Sequence, residues 1–285
     1  MPYIKKRNRR SKIDYCNICE KFESLTWDHV PPKSCFNNEK IKYNTFYEGV
    51  NNEKARLTGG ELTQYITSQN GVKFRTICAT CNNSLLGVKY DPELENLAKF
   101  TDALVSSDIM LPPSVTTKSK INKLSRSIVG HILAAKDMYD NQVLTDKKLR
   151  KYFLDASSLP PRDMMLLFRI YPFASIVIQR DCIVASLNKE NVFPGGMSDC
   201  LSFYPVAFVL CSSGSNCGLL DLFSKCTENI DDEVDIPIDL SSHKHRNDDV
   251  IRHFLWPINV SDDDYGASVM VTGSTSTSLI ARKTI

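Results

Sequence analysis

The sequence predicts an α+β fold in which an N-terminal strand-strand-helix zinc module leads into a helical segment and a C-terminal mixed α/β region. Three observations predict it. Two Cys-x-x-Cys pairs, Cys16 with Cys19 and Cys78 with Cys81, bracket β-prone runs near the N-terminus. Apolar residues between Leu94 and Met138 recur at three- and four-residue steps, the spacing of helices. Beyond Pro160-Pro161 the texture changes to short runs rich in β-branched and aromatic residues, the signature of a sheet.

At 285 residues, with 42% hydrophobic and 24% charged side chains, the chain is long enough for one large domain or two ordinary ones. It has no run of about 18 apolar residues, and Met1 to Arg7 lacks the apolar core of a signal peptide. A cytoplasmic protein without membrane contact is expected. The ten cysteines fit a reducing compartment, because four of them have metal-ligand spacing.

The net charge of +2 conceals an asymmetry. Residues 1–100 carry 16 Lys and Arg against 11 Asp and Glu, whereas residues 101–285 carry 19 against 22. The basic part is the part that holds the cysteine pairs, and it suits a polyanionic partner. Lys5, Lys6, Arg7, Arg9, Arg10 and Lys12 mark residues 1–13 as a basic arm, either tracking phosphates or simply solvated.

The elements follow in order. Ser24 to Trp27 is a short β-prone run that Pro31-Pro32 stops, so Asp28 and His29 fall at a strand end. Residues 35–70 are polar and Asn-rich and read as an insertion, with a short helix expected over Glu61 to Ser68. Val72 to Ile77 alternates as a strand, and a helix is expected to start near Cys81 or Asn82. Pro92 to Val105 and Ile121 to Met138 have helical spacing, and Thr145 to Leu154 reads as a helix capped by Thr145. Strands are expected over Met164 to Ile170, Ala174 to Ile178, Cys182 to Leu187 and Phe203 to Leu210. The acidic runs Asp231 to Asp235 and Asp262 to Asp264 read as solvated loops.

Chemistry concentrates between the cysteine pairs. Four thiolates from Cys16, Cys19, Cys78 and Cys81 fill a tetrahedral zinc shell with no open position, so this zinc is structural, fastening two distant segments. His29 has a near-neutral reference pKa and can take a proton from water, and Asp28 offers the hard oxygen that Mg²⁺ or Mn²⁺ prefers. Neighbours on a strand point to opposite faces, so both serve one site only if the strand end twists or they contact different parts of it. Elsewhere, His243 and His245 read as solvent-exposed, and His131 as a packing or surface residue. Cys35, Cys182, Cys200, Cys211, Cys217 and Cys226 read as small buried hydrophobes.

Cys16-x-x-Cys19, Asp28-His29-Val30-Pro31 and Cys78-x-x-Cys81-Asn82-Asn83 followed by Leu86-Gly87 resemble the zinc-containing, four-cysteine branch of the HNH endonucleases, the ββα-metal class, over roughly residues 14–100. The resemblance implies a metal-dependent DNA endonuclease with a nuclease module at residues 14–110. It makes His29 the general base, with Asp28 and Asn82 as ligands of the catalytic Mg²⁺ or Mn²⁺ and Asn83 as the alternative to Asn82. It also implies a setting such as restriction or anti-phage defence. The sequence departs from the family where Lys73 stands in place of the middle Asn, for which Asn70 is the candidate substitute. Residues 111–285 read as a helical linker plus a C-terminal α+β domain, and residues 101–285 are expected to restrain or target the module through a ligand, a partner protein or homodimerisation. Two alternatives stand beside this reading. One is a non-catalytic zinc module binding nucleic acid or protein, and the other a sensor that uses the HNH unit as its effector.

Overall fold

The computed structural model describes residues 10–45, 65–186, 196–212, 219–240, 268–272 and 278–283, in an α+β arrangement. Residues 1–9 of the basic arm, Cys217, His243, His245 and Asp262 to Asp264 lie outside these ranges. The N-terminal strands are β1 (Ile13–Tyr15), β2 (Phe22–His29), β3 (Ile41–Thr45), β4 (Ile66–Ser68) and β5 (Lys73–Cys78). β2 lies between β1 and β5 in an antiparallel sheet, with His29 as its last residue. Of the stretch expected as a helix over Glu61 to Ser68, the described residues Ile66–Ser68 are a strand instead, because they find a partner in β3.

The chain leaves β5 into a wide π-type helix, α1 (Thr80–Tyr90), which continues directly as the α-helix α2 (Asp91–Val105). Pro92 has no N–H to donate backwards, and the hydrogen-bonding pattern changes at this junction. β6 (Ser114–Lys120) then leads into α3 (Ile121–Ala134), in which every residue but Lys123 is buried. A helix covered on all sides belongs to the centre of a fold. Gly130 shows how tightly it is covered: a Cβ there would lie 2.5 Å from Phe153 Cε2 and 2.6 Å from Leu86 Cδ2.

The helix stops at Ala134, short of the expected Met138, because side chains from the N-terminal strands and turn take up carbonyls at its end. Asn17 Nδ2 donates to Leu133 O and Lys136 O, and Thr76 Oγ1 donates to Ala134 O. α4 (Leu144–Leu154) is preceded by Val143 in extended conformation, so Thr145 lies inside the helix and does not cap it.

The C-terminal strands are β7 (Met164–Ile170), β8 (Ser175–Ser186), β9 (Gly196–Phe203), β10 (Val206–Ser212), β11 (Leu220–Asp221), β12 (Glu233–Asp239), β13 (Ser268–Thr272) and β14 (Ser278–Lys283). Among the described residues they build a sheet in the order β11-β7-β10-β9-β8-β14-β3-β4, with β13 also on β8. β12 pairs with β6 instead. The runs Ala174 to Ile178 and Cys182 to Leu187 are joined into one strand, whose register shifts between Gln179 and Cys182 at Asp181 (φ 53°). Glu233 to Asp235 belongs to a strand and not a loop, yet its acidic side chains still face outward while Ile236 and Ile238 turn inward.

β3 and β4 come from the insertion between the two cysteine pairs; β3 pairs with the C-terminal β14, and β4 pairs with β3. One hydrophobic core runs from Cys16 to Ala281, across residues 14–110 and 111–285 alike. At the β8 bulge residues 111–285 also bury a cluster of charge. Arg180 is fully buried, with Nη1 2.7 Å from Asp199 Oδ2 and Nη2 2.8 Å from Asp146 Oδ1. Lys136, just past α3, contacts Asp146 at 3.0 Å and Asp181 at 2.8 Å. Replacing Arg180 by Leu leaves carboxylates buried without their cation. The expected loss is about 3–5 kcal/mol, read from urea melts, and a melt within about 0.5 kcal/mol of the parent contradicts this account.

Candidate functional site

The four cysteines of the two pairs converge. Their sulfur atoms all lie within 4.8 Å of one another, and Cys19 Sγ is 3.7 Å from Cys78 Sγ. A tetrahedral zinc with Zn–S of about 2.3 Å holds its sulfurs about 3.8 Å apart, so the donor set fits that ion. The surroundings fit it too. Backbone N–H groups of Ile18 and Cys78 point at Cys16 Sγ, and that of Cys81 at Cys78 Sγ, which stabilises negative sulfur. A hydrogen bond from Cys81 brings the Cys16 thiol down to about 5, whereas burial pushes Cys78 up to about 12. Four thiolates become compatible at this spacing only around a cation.

The Cys16–Cys19 turn is itself held against α3. Asn17 spans the end of that helix, and its own carbonyl accepts from Arg150 Nε of α4 at 2.7 Å. The four-cysteine cluster therefore sits where β2 and β5 meet α3.

Asp28 and His29 occupy opposite faces of β2, as strand geometry requires. Asp28 turns inward and is 5% exposed. Its Oδ2 lies 3.3 Å from Nδ1 of the fully buried His131, whose Nε2 lies 3.0 Å from Asp91 Oδ1. Ser127 Oγ, one turn before His131 on α3, also donates to Asp91 Oδ1 at 2.7 Å. Burial alone pulls the His131 imidazole down, but the carboxylates of Asp91 and Asp28 outweigh it and raise it to about 10. His131 is thus an imidazolium between two carboxylates. Burial raises the Asp28 carboxyl, and the His131 charge pulls it back. The Oδ2···Nδ1 approach lacks hydrogen-bond geometry, so both atoms are buried without a satisfied partner among the described residues.

His29 turns to the outer face, across from Lys73 of β5. Burial lowers its imidazole below the ordinary value, Lys73 and Lys33 push in the same direction, and a hydrogen bond with the Asn70 side chain and the Asp28 charge oppose them. Its Nε2 is shielded and engages no partner among the described residues. Asn70 therefore touches the residue it was expected to orient. The loop that brings it there is built by Asn37, which is 1% exposed, donates to Pro31 O and Val72 O and accepts from Val72 N. Gly71 (φ 60°) is obligatory beside it, because a Cβ would fall 2.2 Å from Asn37 Oδ1.

Asn82, in the first turn of α1, reaches back to β2 and donates to Thr26 Oγ1 (3.0 Å) and Trp27 O (3.1 Å). Its Oδ1 accepts no hydrogen bond from the described residues, and it lies next to the segment that carries Asp28. Asn83 is exposed. Of the cysteines read as hydrophobes, Cys35, Cys182, Cys200 and Cys211 are buried and Cys226 is half-buried.

Sequence reasoning missed His131, Asp91 and Asn37. His131 sits on an apolar helix stripe that gives no chemical signal, and its partners are 103 and 40 residues distant, so no local pattern joins them. No protein-family model matches the chain, and no curated protein or solved structure matches it. Among the described residues, no helix is long and apolar enough to cross a membrane.

Two outcomes are expected. Chelation, or Cys78→Ser, releases about one zinc per chain and lowers the melting temperature, as elemental analysis and thermal melts will read. An unchanged melt after confirmed metal loss rules out a structural site. The second concerns His131, whose folded value stands above its ordinary 6.5. Its contribution is complete below pH 6.5 and is lost as pH rises toward 10. Urea melts are expected to show unfolding free energy falling across that window by up to about 1.4 kcal/mol per pH unit, and His131→Gln to flatten the fall. An equal slope in the variant removes His131 as its source.

Proposed function

We propose that the chain is a metal-dependent DNA endonuclease of HNH type, with β2, β5 and α1 as its ββα unit. The observation that carries this reading is His29. Its imidazole is kept neutral by burial, contacts Asn70, and leaves Nε2 without a partner among the described residues. A neutral imidazole with an unengaged nitrogen is suited to accept the proton of an attacking water.

In this reading Lys33 and Lys73, whose charges act on His29, draw a phosphate of the strand to its side. His29 takes the proton from water as the water oxygen bonds to phosphorus, and the bond from phosphorus to the leaving sugar oxygen breaks. Asp28 and Asn82 are the residues that would hold the divalent ion. One observation makes them fit: the Asn82 amide oxygen is left open by donor bonds to Thr26 and Trp27, beside the segment that carries Asp28. When bound, Mg²⁺ or Mn²⁺ supplies charge stabilisation at the phosphoryl oxygens. His131 and Asp91 hold Asp28 from behind. The four-cysteine zinc site keeps the strand end and α1 in register. Restriction or anti-phage defence is the setting we propose for such an activity.

One observation favours a second reading. The His131 imidazolium already balances Asp28, which suits a structural carboxylate in a zinc module that binds nucleic acid without cutting it. Incubating purified protein with plasmid and with single-stranded circular DNA, each with Mg²⁺ or Mn²⁺, separates the two. Cleavage is expected, and His29→Ala is expected to reduce its rate about 10²- to 10⁴-fold while DNA affinity stays unchanged. The rate of the parent protein is expected to fall only below pH 6.5, since His29 titrates below its ordinary value. Binding without cleavage in the parent protein establishes the second reading.

A further inference from the structure

A groove of about 860 Å³ runs beside the outer face of β2 and β5, on the side to which His29 turns. Its walls include Arg10, Trp27, Lys73 and Arg75, with Asp137 as the acidic residue among them. Trp27 is 46% exposed. Lys73 Nζ stands 6.0 Å and the Arg75 guanidinium 5.4 Å from its ring centre. Neither cation forms an ion pair with a carboxylate among the described residues, and Arg75 Nε is buried without a hydrogen-bond partner there. Arg75 is anchored instead by donating to the Arg10 carbonyl.

An indole half in water beside two cations that have no carboxylate partner among the described residues is a recognisable combination. The cations suit phosphate, and the ring offers a face on which a flat heterocycle can stack. In a duplex each base is already stacked on both faces, so a lone indole on a groove wall gains little from double-stranded DNA. An unpaired base has a free face. Spacing links the groove to the proposed chemistry. Trp27 and His29 are two residues apart on one face of β2, about 6.6–6.8 Å along the strand, and Lys73 adjoins both. A base stacked on Trp27 therefore leaves a flanking phosphate beside Lys73 and His29.

From this we infer that the β2–β5 groove binds single-stranded DNA, with an unpaired base stacked on Trp27 and the backbone held by Lys73 and Arg75. The inference rests on the endonuclease reading for its choice of DNA, and it makes the substrate a strand with unpaired nucleotides.

The test is fluorescence anisotropy without divalent metal, on the full chain and on Trp27→Ala, Trp27→Phe, Lys73→Ala and Arg75→Ala. The probes are labelled oligothymidine, its duplex with oligoadenine, and oligouridine. Oligothymidine is expected to bind more tightly than the duplex. Trp27→Ala is expected to weaken it on the order of 10- to 100-fold without changing duplex affinity, and Trp27→Phe to restore most of the loss. Each cation variant is expected to reduce the salt dependence by roughly 0.7 in log–log slope. Equal affinity for strand and duplex overturns the inference, as does parental binding by Trp27→Ala. Tighter binding of oligouridine overturns the assignment to DNA. The nuclease reading is judged separately by cleavage. Trp27-dependent strand binding without cleavage defeats that reading alone, and cleavage with no Trp27 dependence defeats this one alone.

Discussion

Helix α3 is buried on nearly every side, and each polar group it carries has to be answered by another part of the chain. Asn122 donates to the Thr227 and Asn229 carbonyls, and Arg126 donates to the carbonyls of Tyr152, Asp155, Ala156 and Ser158 around the end of α4. Ser127 and His131 are answered by Asp91, and His131 also by Asp28. The carbonyls at its end are answered by Asn17 and Thr76. One helix thus determines where the Cys16–Cys19 turn, the end of β2, the start of α2 and α4 must stand. Shifting any of them strands a buried polar group, and each such group costs about 1–3 kcal/mol.

This arrangement connects the four-cysteine cluster to the residues proposed for catalysis. The four cysteines join the turn after β1 to the start of α1, and Asn17 within that turn presses the assembly onto α3. Asp28 is then held from the interior by a charged imidazole, while His29 is presented outward beside Lys73. A single strand end thereby carries two environments. Its inner face is dry and charge-paired, and its outer face is basic and open to a groove. The division follows from the two-residue period of the strand, and it lets one dipeptide serve two roles.

The C-terminal sheet is joined to this centre by more than proximity. β3 and β4 leave the chain between the cysteine pairs and complete the sheet through β14, and the Arg180 cluster ties the β8 bulge to the residues that follow α3. β4 is followed within two residues by Asn70, so the sheet and the loop beside His29 are continuous in the chain.

The sequence by itself determined the elements whose cause is local. Ligand spacing marked Cys16, Cys19, Cys78 and Cys81, and their sulfurs meet. The proline pair after His29 marked the strand end, and apolar periodicity marked α2 and α3, because period and turn chemistry act over a few residues. What only tertiary structure decided were the contacts between residues far apart in the chain: His131 between Asp28 and Asp91, Asn37 beneath Gly71, Arg180 among its carboxylates, and β4 as a strand where a helix was expected. A buried ion pair depends on which surfaces exclude water, and a short strand on whether a neighbour offers its edge. Neither is written in the residues nearby.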